Sequence, residues 1–403
     1  MKVQRSGEKM IRTYKVMLLP KNKQKTKLFQ CAGVARWAYN FALAQQQENY
    51  KQGGKFLKDG EIRKKLTKLK QTKEYHWLNL FSNNITKQAI KDACIAYKNF
   101  FEGRAKFPKF KTKKRTRPSF YQDTAKIKVT DTHVKLEKLT PSKKKNKQKF
   151  NWIRLAERGR IPYGKQVKYV NPRIVFDGLH WFLTIGVEEV EQKHDAYTEG
   201  IGVDVGIKSL ATVSNGMTFP NMNHTLKVKK LEKQIKRLQR KLPRKYEMNK
   251  IQTEGGEFRY RKTENIKKLE FLLLKRRRRL KHIQLNYTHH ITTTLVKTKP
   301  AYVVMEDLNT SGMLKNKKLS KAIQQQTFHE FKRQMTYKCA WHGIRLIVAD
   351  RFYPSSKRCS ACGHVKEKLS LSERTYCCEA CGIEIDRDLN ASMNLKQYAE
   401  SIV

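Results

Sequence analysis

Three acidic positions in this 403-residue chain could together hold divalent metal ions. Asp204 lies in GIGVDVGIKSL, Glu306 in AYVVMEDLN, and Asp386 or Asp388 in DRDLNASMNL. Each acid alone could be a turn residue, a surface acid or a helix cap. Carboxylates that face one another repel unless cations lie between them, and Mg²⁺ prefers such hard oxygen ligands. Together the three positions therefore predict a divalent-metal centre.

The segments around these acids predict how a fold would bring them together. Asp204 lies in a strand, turn and strand pattern over 200–213, Glu306 follows a buried strand predicted at 302–305, and the third acid opens a helix. This placement is typical of RNase H-like nucleases, in which carboxylates from adjacent strands and a later helix hold two metal ions. We expect Asp204 to bridge two Mg²⁺ ions, with Glu306 and the helix acid each completing the ligands of one ion.

Two cysteine pairs predict a separate, structural zinc site. Each pair has the spacing Cys-x-x-Cys, and fifteen residues separate the pairs, which comprise Cys359, Cys362, Cys378 and Cys381. This spacing is typical of two zinc knuckles that face each other across a short β-ribbon. Gly363 and Gly382 follow the pairs and permit a tight backbone, whereas Cys377 would leave Cys381 one residue too far away. Four protein ligands leave no open coordination position, so we expect one Zn²⁺ ion without a catalytic role.

The charge of the chain predicts a polyanionic partner. Lys and Arg number 87 against 35 Asp and Glu, which gives a formal net charge of +52. Nucleic acid is the expected partner, because each phosphate contact releases a counterion. No apolar stretch of about 18 residues and no signal-peptide pattern is present, so we expect a cytoplasmic protein without a membrane partner.

Two basic segments are the strongest candidates for contact with nucleic acid. The segment 104–117 interleaves two phenylalanines with cations that could pair with phosphates: Lys106, Lys109, Lys111, Lys113, Lys114, Arg115 and Arg117. A second cluster, in a helical pattern, comprises Arg276, Arg277, Arg278 and Arg279. Either segment could instead be a solvated surface. A lysine-rich loop is also predicted at 141–149.

The remaining patterns predict an α/β protein with at least two domains. A strand at 13–19 precedes helices through 62–69 and 85–101, and short strands over 119–190 predict a small β-barrel. Two long basic helices follow, with Pro243 and Gly255-Gly256 between them, which predicts a helical hairpin. A helix at 327–341 and a strand at 344–348 come next.

An ordered set of motifs resembles the TnpB family of transposon-associated, RNA-guided DNA endonucleases, relatives of the type V CRISPR effectors. The motifs are ARWAYNFAL, KFPKFKTKKRTRPSF, VDVGIKSLAT, VVMEDLN, YPSSKRCSACG, YCCEACG and DRDLNASMNL. The resemblance implies that Asp204, Glu306 and Asp388 are the catalytic triad. Asp388 is preferred to Asp386 because Asp388-Leu389-Asn390 matches the D-x-N motif of the related effectors.

The same resemblance implies a multidomain α/β architecture. It comprises a β-barrel wedge domain (1–20 and 118–195), a helical recognition insert (21–117), an RNase H-like (RuvC) nuclease domain (196–351 and 386–403) and an inserted zinc ribbon (352–385). Base pairing with a guide RNA would select double-stranded target DNA, and the protein would read a short flanking motif. Lys87 and Gln88 are candidates for that reading.

Three other functions are compatible with parts of the pattern. A compact type V CRISPR effector would share every motif and differ in its genomic neighbourhood. A catalytically silent, nucleic-acid-binding regulator on the same scaffold would have no chemical need for all three acids. An unguided nuclease would leave most of so basic a surface without a partner. We therefore expect an RNA-guided endonuclease, most simply a monomer bound to its RNA.

Overall fold

The computed structural model describes residues 9–140, 149–190, 199–317, 319–370 and 372–401. These residues form two compact units, one comprising Lys9–Glu189 and the other the described residues from 190 onwards. Most of the lysine-rich segment 141–149 and the predicted domain boundary at 195/196 lie outside the described residues. The chain is a mixed α/β protein with several separate sheets.

The first unit combines one large sheet with three long helices. In chain order its elements are β1 (Lys9–Leu19), α1 (Asn22–Lys51), α2 (Asp59–Leu69), α3 (Asn83–Phe101), β2 (Ser119–Tyr121), β3 (Lys128–Val129), β4 (His133–Lys135), β5 (Trp152–Leu155), β6 (Tyr169–Phe176) and β7 (Trp181–Val190). Short 3₁₀ helices lie at His76–Leu80 and Lys149–Asn151. The predicted strand at 13–19 and the helices through 62–69 and 85–101 are confirmed, each with slightly wider bounds.

The strands of this unit pair in the order β2-β6-β7-β1-β5-β4-β3. A turn at Asp177-Gly178 joins β6 and β7, and Gly178 has φ +100°, a conformation that glycine adopts at little cost. Among the described residues, the outer strands β2 and β3 are not paired with each other. Closure of this sheet into a barrel therefore stays a prediction.

The second unit holds all of the predicted metal ligands. In chain order its elements are β8 (Ile201–Asp204), β9 (Ser209–Val213), β10 (Thr218–Pro220), α4 (Leu226–Glu247), β11 (Lys250–Gln252), β12 (Phe258–Tyr260), α5 (Glu264–Lys297), β13 (Tyr302–Glu306), α6 (Thr310–Met313), α7 (Ser320–Gln326), α8 (Phe328–Trp341), β14 (Arg345–Ala349), β15 (Thr375–Cys377), β16 (Glu384–Asp386) and α9 (Arg387–Glu400). The predicted strands at 302–305 and 344–348 and the helix at 327–341 are confirmed within two residues.

A five-stranded sheet forms the centre of the second unit, in the order β10-β9-β8-β13-β14. β13 is parallel to both β8 and β14, whereas β8, β9 and β10 are antiparallel neighbours. Alternate residues of β13 face opposite sides: Val303 and Met305 pack in a cluster with α5 and α8, and Val304 packs with Leu395 of α9. Helices therefore cover both faces of the sheet.

Helix α9 approaches β8 unusually closely at Gly202. A Cβ atom at this position would lie 2.0 Å from the carbonyl oxygen of Ser392 and 2.6 Å from the backbone nitrogen of Lys396. Only glycine allows this approach without a shift of the helix.

The predicted helical hairpin forms, but the placement of Pro243 between its helices is wrong. Pro243 lies inside α4, near its C-terminal end, and its ring is exposed. The apolar stripe of α4 reaches this residue, since Leu231, Leu238 and Leu242 pack with Leu273 of α5. Beyond Pro243, the Tyr246 hydroxyl donates a hydrogen bond to Glu270 of α5 at 2.5 Å. This packing offsets the backbone hydrogen bond that proline removes, which costs about 3 kcal/mol. The connection is the β11–β12 hairpin, with the predicted Gly255-Gly256 turn at its tip.

Among the described residues, no helix combines the length and apolar character that crossing a bilayer requires.

Candidate functional site

Asp204 and Glu306 lie at the same edge of the central sheet. Parallel pairing places Val203 of β8 opposite Met305 of β13, and each acid is the next residue and the last of its strand. The carboxyl ends of parallel strands meet at one edge, so the sequence pattern of an apolar strand that ends in an acid translates directly into proximity. Both residues are half-buried.

The third acidic position separates into two residues with different roles. Asp386 is the N-cap of α9, and its side-chain oxygen accepts hydrogen bonds from the backbone nitrogens of Asp388 and Leu389 at 2.9 and 3.1 Å. Asp388 lies in the first turn of α9, the helix that packs on β8. The cap therefore engages Asp386 locally, whereas Asp388 remains near the sheet edge.

The electrostatics of Asp204 indicate that the three acids lie close together. Burial raises the pKa of Asp204 well above its usual value, and the negative charges of Glu306 and Asp388 raise it further. The Arg387 guanidinium opposes this effect only in part. A cluster of carboxylates with so little cationic compensation is the environment that hard divalent cations stabilise, so these residues fit a Mg²⁺ site.

The neighbouring acid Asp307 is in a different position. Lys332 and Arg351 both bond its carboxylate, and these hydrogen bonds hold the pKa of Asp307 below its usual value. Asp307 is therefore already neutralised by protein cations, whereas Glu306 accepts a hydrogen bond from the buried hydroxyl of Ser355. Ser355 lies in the YPSSKRCSACG motif, where no chemical role was predicted for it.

The four predicted zinc ligands come together in space. The Sγ atoms of Cys359 and Cys381 are 3.7 Å apart, and those of Cys362 and Cys378 are 3.5 Å apart. Zn–S bonds of about 2.3 Å in a tetrahedron require S···S separations of about 3.8 Å. Within the described part of the chain, this is the only group of three or more His, Cys, Asp or Glu side chains whose ligand atoms all lie within 4.8 Å of one another. The set could hold a metal ion, and the three carboxylates are more widely spaced.

The backbone of both cysteine pairs has the tight turn that the glycines predict. Cys359 N donates to His364 O and Cys378 N to Ile383 O, and the left-handed Gly363 and Gly382 each donate back to the first cysteine of their pair. Cys377 is exposed and lies outside the cluster.

The basic segment 104–117 belongs to the first unit. Six of its seven predicted contact cations are exposed: Lys106, Lys109, Lys113, Lys114, Arg115 and Arg117. Lys111 differs, because its ammonium lies 3.5 Å from the centre of the Tyr39 ring and burial lowers its pKa. Its backbone also exchanges two hydrogen bonds with the side chain of Asn40. Lys111 therefore anchors the segment to α1.

The candidate readers of a flanking motif lie on α3. Lys87 is exposed, but Gln88 is half-buried and donates to Asp92 at 2.9 Å. Asp92 also forms a bidentate ion pair with Arg173 of β6.

In the second unit, the arginine cluster lies on α5. Arg277 and Arg279 are exposed, while Arg276 and Arg278 are half-buried.

Comparisons with known families match three parts of the chain. The models are described as "Helix-turn-helix domain" (residues 10–55), "Probable transposase" (residues 184–317) and "Cas12f1-like, TNB domain" (residues 328–395). In this structure, residues 10–55 form most of β1 and the single long helix α1. Two curated relatives extend the match over almost the whole chain.

A Streptomyces pristinaespiralis protein named "Putative RNA-guided DNA endonuclease" is 29% identical over 384 residues, which cover 95% of this chain and 88% of the relative. The Escherichia coli (strain K12) protein "Putative RNA-guided DNA endonuclease InsQ" is 28% identical over 413 residues, which cover 98% of this chain and 94% of the relative. The family models and these two relatives, matched over nearly their full length, support a relationship to TnpB and the type V effectors. The chain also shares a fold with the protein in "Cryo-EM structure of the Cas12f1-sgRNA-target DNA complex" (TM-score 0.57, 14% identity, 93% of this chain and 82% of that chain covered).

Proposed function

We propose that this protein is an RNA-guided DNA endonuclease that hydrolyses phosphodiester bonds at Asp204, Glu306 and Asp388. The observation that carries the proposal is the parallel register of β8 and β13, which ends both strands in an acid at one edge of the sheet, with Asp388 in the first turn of the helix that packs on β8. The relatives named as RNA-guided DNA endonucleases, over nearly the full length of the chain, supply the class of reaction.

In the proposed mechanism, Asp204, Glu306 and Asp388 would hold two Mg²⁺ ions beside the target phosphodiester. When bound, these ions would supply activation of a water and stabilisation of the leaving oxygen. Asp204, at the end of the inner strand β8, would be a ligand of both ions, while Glu306 and Asp388 would each complete the ligands of one. Asp386 keeps the first turn of α9 in place by capping it.

The finer architecture is part of the same proposal. The seven-stranded sheet forms a wedge barrel, α1 to α3 form the recognition insert, the central sheet is RNase H-like (RuvC), and the β15–β16 hairpin belongs to a zinc ribbon. Cys359, Cys362, Cys378 and Cys381 bind one structural Zn²⁺, which the 3.5 and 3.7 Å sulfur separations support.

A guide RNA and double-stranded DNA are the proposed partners, bound in the cytoplasm by a single copy of the chain. The exposed cations of 104–117 and of the Arg276–Arg279 cluster bind phosphates, and base pairing selects the target. Lys87, with Gln88 oriented by Asp92, reads the flanking motif.

Two measurements test the proposal. The protein should purify with RNA at moderate salt, and changing the variable end of that RNA should move the site of DNA cleavage. Asp204→Ala and Glu306→Gln should each lower the cleavage rate about 10²-fold or more, since the metal contribution is worth several kcal/mol. Asp388→Ala should do the same, while nucleic-acid binding stays intact.

Two variants serve as matched controls. Asp307→Asn changes an acid next to Glu306 that is already paired with Lys332 and Arg351, so most of the cleavage should remain. Asp386→Ala should cost less than Asp388→Ala. Strong Mg²⁺-dependent cleavage by the Asp204→Ala protein would reject the active site, and equal cleavage by RNA-free protein would reject guidance.

A further inference from the structure

The buried hydroxyl of Ser355 forms a hydrogen bond with Glu306, one of the three acids. Ser355 is 3% exposed, and its Oγ donates a hydrogen bond to Oε1 of Glu306. Among the described residues, no group bonds Oε2 of Glu306, so this hydrogen bond occupies one carboxylate oxygen and leaves the other available. A hydroxyl in this arrangement limits rotation of the carboxylate about its last bond.

The backbone that carries Ser355 is itself held by buried amides of α9. Asn394, which is fully buried, donates from Nδ2 to the carbonyl oxygens of Ser355 and Arg358 at 2.8 and 2.6 Å. Asn390 donates to the same Arg358 oxygen at 2.7 Å and accepts from the backbone nitrogen of Ser360 at 2.9 Å. Segment 355–360 is therefore fixed to the helix whose first turn holds Asp388.

One helix thus orients two of the acids by different routes. α9 carries Asp388 itself, and through Asn394 it holds the backbone of Ser355, whose hydroxyl bonds Glu306. Residues that bond a metal ligand from behind orient it and raise its affinity for the ion, and their loss typically costs about 10–100-fold.

We propose that Ser355 is a positioning residue for Glu306, which keeps this carboxylate oriented to bind the catalytic divalent ion. The inference rests on the proposed function. The role of Ser355 is indirect, because this residue acts through Glu306 and is not itself expected to contact DNA or metal.

The test is Ser355→Ala in the complete protein with its RNA. The Mg²⁺ concentration for half-maximal cleavage should rise about 10–100-fold, with recovery at high Mg²⁺ and unchanged DNA affinity. Mn²⁺ binding, measured by electron paramagnetic resonance, should weaken in parallel, with the Asp204→Ala complex giving the baseline for ions held by RNA. The zinc content should stay at the wild-type value.

Ser360→Ala is the matched control. Ser360 is 7% exposed and lies in the same segment, but its Oγ has no hydrogen-bond partner in the described structure. Its loss should leave the Mg²⁺ requirement unchanged.

A wild-type Mg²⁺ requirement and Mn²⁺ affinity in Ser355→Ala would overturn the proposal. Loss of zinc from this variant would also overturn it, because it would show a role in folding the cysteine turn. If Asp204→Ala also cleaves DNA normally, the proposed active site is wrong; if only Ser355→Ala behaves as wild type, the positioning role alone is wrong.

Discussion

Gly202→Ala should both destabilise the second unit and impair its proposed active site. The added Cβ would lie 2.0 Å from Ser392 O and 2.6 Å from Lys396 N, both backbone atoms of α9. Since a comfortable carbon contact needs about 3.5 Å, the helix would have to move by roughly 1.5 Å. Overpacking of this kind costs about 1–3 kcal/mol. For a unit of about 200 residues, each kcal/mol lowers Tm by about 2–4 °C.

The same displacement should reach the chemistry, because α9 carries Asp388. A misplacement of about 1 Å can cost about 10²-fold in rate. The assay is thermal unfolding together with Mg²⁺-dependent DNA cleavage by the RNA-bound protein. Gly255→Ala is the control, because no atom lies within 4 Å of its Cβ position and its φ is not left-handed. A Gly202→Ala protein with wild-type Tm and cleavage rate would refute the close packing of α9 on β8.

Two further predictions concern the cysteine cluster and a buried lysine. Cys378→Ser should lose the bound zinc. Cys377→Ser changes an exposed thiol outside the cluster and should retain about one ion per chain. Elemental analysis of both proteins measures the zinc content, and the reverse pattern would show that the ligand was misassigned. The Lys338 ammonium donates hydrogen bonds to His289 O and to the hydroxyls of Thr292 and Thr293. Burial lowers the pKa of Lys338 to about 8. The unfolded lysine holds its proton to about pH 10.4, so the unfolded chain binds more protons and the unfolding free energy should rise between about pH 8 and 10. Lys338→Met should remove that part of the rise in pH-dependent denaturant titrations, and an identical slope in both proteins would contradict the assignment.

Several features of the protein could be predicted from its sequence because they depend on short-range patterns. An apolar run that ends in an acid needs only a few residues to be recognised, which is why the strand before Glu306 is predicted with nearly correct bounds. The pattern over 200–213 predicts a strand around Asp204, with the acid in its middle, whereas the structure makes Asp204 the last residue of β8. The cysteine pairs are similar, since two residues between thiols and a following glycine already determine the turn. The net charge of +52 likewise needs no structure to indicate a polyanionic partner.

Other features depend on contacts between residues that are far apart in the chain. A proline such as Pro243 normally indicates the end of a helix, but contacts with α5 lie on both sides of it, from Leu242 and from Tyr246, and α4 continues to Glu247. Lys111 looks like its basic neighbours in sequence, yet the ring of Tyr39 and the side chain of Asn40 engage it. For Pro243, tertiary contacts outweigh a local preference of about 3 kcal/mol against proline inside a helix.

The acidic site also combines features that depend on short-range patterns with features that depend on contacts between distant residues. The sequence by itself determined which segments carry the acids, because strand and helix patterns are local. Only the tertiary structure decided that Asp307 is neutralised by Lys332 and Arg351, and that Ser355 bonds Glu306. The Ser355 contact spans 49 residues of chain, and such a contact exists only after β13, the segment after β14 and α9 have packed together. No pattern within one segment encodes that geometry, since it follows from the packing of all three.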